Sequence, residues 1–106
     1  MKAALKFAAV CCLAAALAMP AFAQGSGADT YKARCAMCHG DDGRASTPAG
    51  KMFKAAAFSD PAIVKIPDAE RIAIVKKGKD KMPPFGDKLT DEQIKAVLAY
   101  IRTLQK

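Results

Sequence analysis

Apolar residues recur at helical spacing along much of the chain, most clearly near its C-terminus. After Thr90 they follow at intervals of three and four residues and form one broad face, at Ile94, Val97, Leu98, Ile101 and Leu104. Thr90 and Gln93 match the capping box that begins a helix. No segment alternates apolar and polar residues with enrichment in β-branched side chains, so the pattern predicts an all-α domain without strands.

A first helix is predicted over 28–34, with Ser26 or Asp29 as its N-cap. Tyr31 lies four residues before Cys35, and this spacing places both on one face of the helix. The ring of Tyr31 is therefore expected in the core.

The middle of the chain predicts shorter elements. Residues 45–50 are small and polar and are interpreted as a loop, and 51–57 are interpreted as a short helical stretch that presents Met52. A further helix is predicted over 69–77, with Asp68 as its N-cap.

The first 23 residues have the features of a secretory signal peptide. Two lysines precede an apolar run over 7–19, and residues 21–23 fit the small-x-small cleavage rule, so cleavage is predicted before Gln24. The run is shorter than the ~20 residues that span a bilayer, which disfavours an uncleaved anchor. Val10 before Cys11 fits a lipoprotein signal poorly, so an uncleaved anchor and a lipid anchor are kept only as alternatives. We therefore expect a single periplasmic domain over 24–106.

The chemistry of the chain is indicated by Cys35-Ala36-Met37-Cys38-His39, since this spacing matches an attachment site for a c-type haem. Two cysteines three residues apart on a helix present both sulfurs to one face, where each can form a thioether with a haem vinyl group. His39 is the only histidine in the sequence and is predicted as an axial ligand of the iron.

Three other uses of these residues compete with haem attachment. A thioredoxin-like redox pair requires alternating strands and helices, which the sequence lacks. A structural zinc site requires a fourth ligand, and no other Cys or His follows residue 23. A disulfide between Cys35 and Cys38 would leave His39 unexplained.

A second candidate ligand is Met82, which precedes Pro83 and Pro84. Two prolines restrict the backbone and would hold a weak thioether ligand in place. A methionine is more often core filler, so Met52 remains the competing ligand. Met37 lies between the two cysteines, on the attached side of the haem.

Together these segments resemble the small bacterial class I cytochromes c. The likeness rests on the motif at 35–40, on Lys-Met-Pro-Pro-Phe at 81–85 and on Leu-Ala-Tyr-Ile-Arg at 98–102. It implies the cytochrome c fold, in which short helices wrap around one covalently attached haem c and the N- and C-terminal helices cross.

The resemblance also implies roles for individual residues. The crossing helices would meet at Gly27, Tyr31, Val97 and Tyr100, and the carbonyl of Pro48 would accept the ring N–H of His39. The family's pattern favours Met82 as the second iron ligand. The chain has no Trp, so a tryptophan bond to a haem propionate does not carry over.

Ligation by both His39 and Met82 would leave the iron without an open position, which favours a single-electron carrier over an enzyme. A peroxidase-like enzyme lacks a second His or a distal acid–base pair here. A gas-sensing module would require Met82 to be displaced by a small ligand.

The charge of the chain bears on its partners. Its net charge is +7, and loss of Lys2 and Lys6 with the signal peptide leaves +5. A basic cluster surrounds the Met82 segment and would attract acidic redox partner proteins, at Lys76, Lys77, Lys79, Lys81 and Lys88. A merely solvated face is the alternative. We expect a monomer without stable membrane insertion, and no nucleic-acid partner.

Overall fold

The computed structural model describes residues 26–105, which form six helices joined by turns and loops. They are α1 Gly27–Arg34, α2 Ala36–His39, α3 Pro48–Met52, α4 Pro61–Val64, α5 Asp68–Lys77 and α6 Asp91–Thr103. Residues 26–105 contain no β-strand, and none of their helices is long and apolar enough to cross a membrane. The predicted signal peptide and its cleavage site lie outside the described residues.

The helix α6 begins and packs as predicted. Thr90 Oγ1 accepts a hydrogen bond from the N–H of Gln93 (3.1 Å), and Gln93 Oε1 accepts one from the N–H of Thr90 (2.8 Å). These two bonds form the capping box. The buried face of α6 consists of Ile94, Val97, Leu98 and Ile101.

The crossing of α1 and α6 forms the centre of the core. Gly27 allows the close approach, because a Cβ there would lie 2.2 Å from the carbonyl oxygen of Ala96. Tyr31 is fully buried, and its ring centroid lies 5.2 Å from that of Tyr100. Ser26 rather than Asp29 caps α1, since Ser26 Oγ accepts from the N–H of Asp29 at 3.1 Å.

The prediction for the segment 45–57 was wrong in its boundaries. The helix begins at Pro48, because Pro48 supplies a helical φ and Thr47 Oγ1 accepts from the N–H of Gly50 at 2.9 Å. Met52 ends the helix, and Lys54 then adopts a left-handed φ of 55°.

The prediction that Asp68 caps α5 was also wrong. Pro67 occupies the N-cap position without a side-chain hydrogen bond, and Asp68 is the first helical residue. The carboxylate of Asp68 instead forms a salt bridge with Arg102. The carboxylate of Asp68 therefore binds Arg102 on α6 and does not bind the backbone N–H groups at the start of α5.

Candidate cofactor site

Cys35 and Cys38 lie where α1 passes into α2. The N–H of Cys35 donates to the carbonyl of Tyr31 (2.8 Å), and its own carbonyl accepts from the N–H of His39 (3.0 Å). Both thiols are free and partly buried. Burial raises the pKa of Cys35 to about 11, so the unattached thiol is protonated near neutral pH.

His39, at the end of α2, has a ring nitrogen that is buried without a hydrogen-bond partner, Nδ1. Burial lowers the pKa of His39, and the nearby backbone of Ala56 acts in the opposite direction. The contact with Ala56 does not have the geometry of a hydrogen bond, so Nδ1 stays without a partner. The ring is therefore neutral at pH 7, which is the form that binds a metal. The predicted bond from His39 to the carbonyl of Pro48 is not formed in this structure, and that role stays a prediction.

The aromatic side chain against His39 is Phe58, which the sequence analysis did not single out. The two rings are stacked, with centroids 4.5 Å apart and planes 20° apart. Phe58 also meets Tyr31 edge-on at 6.2 Å. The position of His39 is thus tied through Phe58 to the crossing of α1 and α6. A large aromatic at the end of an alanine run, 55–57, was the available signal.

Two hydrogen bonds fix the backbone that follows the motif. The hydroxyl of Tyr31 donates to the carbonyl of Gly40 at 2.5 Å, inside the core. The N–H of Ala45 donates to the carbonyl of His39 at 2.8 Å. The residue that anchors the helix crossing therefore also holds the chain directly after His39.

Thr47 joins α3 to α2 and was likewise missed. Its hydroxyl lies 2.7 Å from the carbonyl oxygen of Met37 and 3.2 Å from that of Cys38, and it donates to them. Since the same oxygen caps α3, one side chain holds both short helices together. The Thr-Pro pair at the start of α3 was the sequence signal for it.

Met82 lies in a tight turn after α5. Its N–H donates to the carbonyl of Lys79 (2.9 Å), and its carbonyl accepts from the N–H of Lys79 (3.1 Å). Gly78 has a φ of +77°, and a Cβ there would lie 2.7 Å from the carbonyl oxygen of Met82. Three residues later, the N–H of Phe85 donates to the carbonyl of Val75 at 2.8 Å, which attaches the segment to α5.

The three methionines of the described residues differ in their surroundings. Met37 is 78% exposed and Met52 is 73% exposed. Met82 is only partly exposed and packs against the hydrophobic core. The structure therefore brings Met82 to the same core that contains Phe58, and it leaves Met37 and Met52 at the surface.

These residues fit a covalently attached haem. The site combines two free thiols, a neutral buried imidazole with an unpaired nitrogen, and apolar residues that only partly cover the core. Seven partly buried hydrophobic residues pack against the core: Cys35, Ala36, Ile63, Ile72, Met82, Tyr100 and Leu104. A planar apolar group with two attachment points and a metal that accepts a nitrogen ligand matches this set. Among residues 26–105, no group of three or more His, Cys, Asp or Glu side chains could hold a metal ion alone.

The basic cluster near Met82 divides into two kinds of lysine. Lys76 forms a salt bridge with Asp91 at 2.8 Å, and Lys88 Nζ lies 5.7 Å from the ring centroid of Phe85. Three lysines in this part of the structure are exposed and form no salt bridge with a described residue, Lys77, Lys79 and Lys81.

Comparisons with known proteins agree with this chemistry. Residues 22–101 match the family model described as cytochrome c oxidase, cbb3-type, subunit III. Cytochrome c6 of Thermosynechococcus vestitus is 35% identical, over 91% of this chain and 88% of the relative. Cytochrome c6 of Aphanizomenon flos-aquae is 40% identical over 72% and 84%. The structure of the KustC0563 c-type cytochrome superposes with a TM-score of 0.71 at 33% identity, covering 77% of this chain and all of that one.

Proposed function

Because this chain belongs to the small class I c-type cytochromes, electron carriers with covalently bound haem c, we propose that His39 and Met82 ligate its iron and that it shuttles single electrons in the periplasm. In this proposal Cys35 and Cys38 form the two thioethers. The bound haem supplies a one-electron couple, and the chain's residues hold it, shield it and set its potential.

The observation that carries the ligand assignment is the setting of Met82. Its backbone is bonded on both sides to Lys79, and its side chain packs on the core. A thioether is a weak ligand, so a preformed position lowers the entropy that binding would cost. Met52, at 73% exposure in a short surface helix, has no such restraint.

His39 is the other proposed ligand. Its ring is stacked on Phe58, and the peptide groups around it are bonded to Tyr31 and Ala45. A ring held in this way keeps one orientation in both oxidation states. Little rearrangement between those states favours fast outer-sphere electron transfer.

The experiment replaces each candidate methionine in the holoprotein. Met82→Ala is expected to remove the sulfur-to-iron charge-transfer absorption of the oxidised form, whereas Met52→Ala, the matched control, retains it. Mass analysis of the wild type is expected to give one covalent haem on a chain that begins at Gln24. Loss of the band in Met52→Ala alone would transfer the ligand role to Met52.

The proposed partners are redox proteins with acidic surfaces. Lys77, Lys79 and Lys81 lie near Met82, exposed and without salt bridges to described residues, so their charge is available to a partner. We expect the rate of electron exchange with an acidic partner to fall as salt increases. Lys79→Gln with Lys81→Gln should weaken that dependence, and Lys95→Gln, an exposed lysine on α6, should alter it less. Equal effects of both changes would contradict the docking surface.

A further inference from the structure

The one charged residue among the buried side chains of 26–105 is Arg71 on α5, which is 5% exposed. Its guanidinium donates to backbone carbonyls only. Nε bonds the carbonyl of Ile66 at 2.8 Å, and Nη2 bonds those of Ile63 at 2.7 Å and Val64 at 3.2 Å. Ile63 and Val64 are the last two residues of α4. The carbonyl of Ile63 also accepts from the N–H of Ile66 at 3.1 Å, so Arg71 adds a second hydrogen bond there and supplies one to the carbonyl of Val64.

No salt bridge among the described residues includes Arg71. Asp68, one turn earlier on α5, is the acidic residue that favours its charge, but the carboxylate of Asp68 is bonded to Arg102. Burial lowers the pKa of Arg71, and Arg102 lowers it further. A guanidinium nevertheless keeps its proton in proteins, so a full positive charge remains inside the domain with only neutral partners.

The segment that Arg71 holds packs against the same core as the candidate haem residues Met82 and Cys35. Ile63, whose carbonyl it binds, and Ile72, the next residue on α5, both pack against the core as partly covered residues. Met82 and Cys35 share that property. The buried charge is therefore held against residues that share one apolar core with the candidate ligand Met82 and the attachment residue Cys35.

We propose that the charge of Arg71, which no salt bridge compensates, raises the reduction potential of the haem. A fixed cation in a low-dielectric interior favours the oxidation state that carries one more electron. The inference rests on the proposed function only in assuming that one haem iron exchanges single electrons, and it does not depend on Met82 being the ligand.

The size of the effect follows from Coulomb's law. With an effective dielectric constant of about 20, and with the separation set to roughly 13 Å, the radius of gyration of a 100-residue domain, removing one charge changes the ratio of reduced to oxidised protein roughly threefold to tenfold at the wild-type midpoint. Because Arg71 is buried, this change should persist at high salt, whereas the effect of a surface charge is screened.

The test compares Arg71→Gln, which removes the charge, with Arg71→Lys, which retains it and loses the planar fork. Midpoint potentials are measured on the holoproteins at low and high salt, with Lys95→Gln as the matched loss of a surface charge. We expect the potential to fall in Arg71→Gln at both salt concentrations. It should stay near the wild-type value in Arg71→Lys and shift little in Lys95→Gln at high salt.

A second measurement separates charge from packing. In Arg71→Gln the reduced holoprotein should lose more unfolding stability than the oxidised one, whereas a purely structural role lowers both equally. Equal potentials in Arg71→Gln and wild type, or equal shifts in the Gln and Lys variants, would overturn the proposal.

If Arg71→Gln does not accumulate, Arg71→Lys alone tests the proposal. A wild-type potential together with lowered stability supports an effect of the charge, and a lowered potential refutes it. The spectrum of each variant reports the Met82 ligand independently.

Discussion

Replacing Gly27 by alanine perturbs the crossing of α1 and α6 at its closest point. The new Cβ would lie 2.2 Å from the carbonyl oxygen and 2.7 Å from the carbonyl carbon of Ala96, and 3.2 Å from Cβ of Tyr100. Two of these three atoms belong to the backbone of α6. They cannot rotate away, so the two helices must separate.

The expected cost follows from two opposing effects. Overpacking of a core contact costs about 1–3 kcal/mol, and the higher helix propensity of alanine offsets at most about 1 kcal/mol. A net loss of about 1–2 kcal/mol lowers the melting temperature of a domain of this size by roughly 4–16 °C. The separation also loosens the packing of Tyr31 on Tyr100, which is not included in this figure.

The assay is thermal and urea unfolding of the oxidised holoprotein, followed by circular dichroism. The double variant Gly27→Ala with Ala96→Gly is the control, because shortening the side chain of Ala96 leaves its carbonyl group in place. We expect no rescue in the double variant beyond the further loss caused by a glycine in α6. An unchanged melting temperature in Gly27→Ala, or full rescue by Ala96→Gly, would refute the backbone clash.

Three further outcomes are expected. Tyr31→Phe removes the hydroxyl bonded to Gly40 and should cost about 1 kcal/mol in urea unfolding, since Gly43 N–H still occupies that carbonyl; a neutral result would show that the bond contributes nothing. Thr47→Val removes the cap of α3 and its bonds to α2 and should cost about 1–2 kcal/mol, whereas Thr47→Ser, tested by the same unfolding, should retain most of the stability. The chain prepared without haem should be largely unfolded, because a core this small rarely supplies more than about 3–5 kcal/mol; a native-like circular dichroism spectrum with a cooperative melt would contradict this.

The sequence predicted α6 and the buried ring of Tyr31 because their signals are local. A capping box and a continuous apolar face depend only on spacing along the helix, and both were found. The start of α3 was missed for a related reason. The segment has no apolar periodicity, so its helix depends on Thr47 and Pro48, whose polar and cyclic side chains also favour loops.

The burial of Arg71 could not be predicted from the sequence. Arginine is mostly exposed in proteins, and nothing in the pattern of α5 distinguishes Arg71 from its charged neighbours. Its partners are backbone carbonyls five to eight positions earlier, which every residue possesses. The stacking of Phe58 on His39 likewise depends on the chain turning back on itself, since eighteen residues with several turns lie between them.

The hydrophobic residues that pack on the core and remain partly exposed should affect both the stability and the reduction potential of the protein. Ile63, Ile72 and Met82 pack on the buried core and remain partly exposed, and a bound haem would complete the packing there. Substitutions at these positions should alter the polarity around the iron and the folding free energy together. Arg71 differs from them, because Arg71→Lys keeps its charge and alters its hydrogen bonds, whereas Arg71→Gln removes the charge. Comparing its lysine and glutamine variants therefore distinguishes the electrostatic part of the potential from the part set by packing.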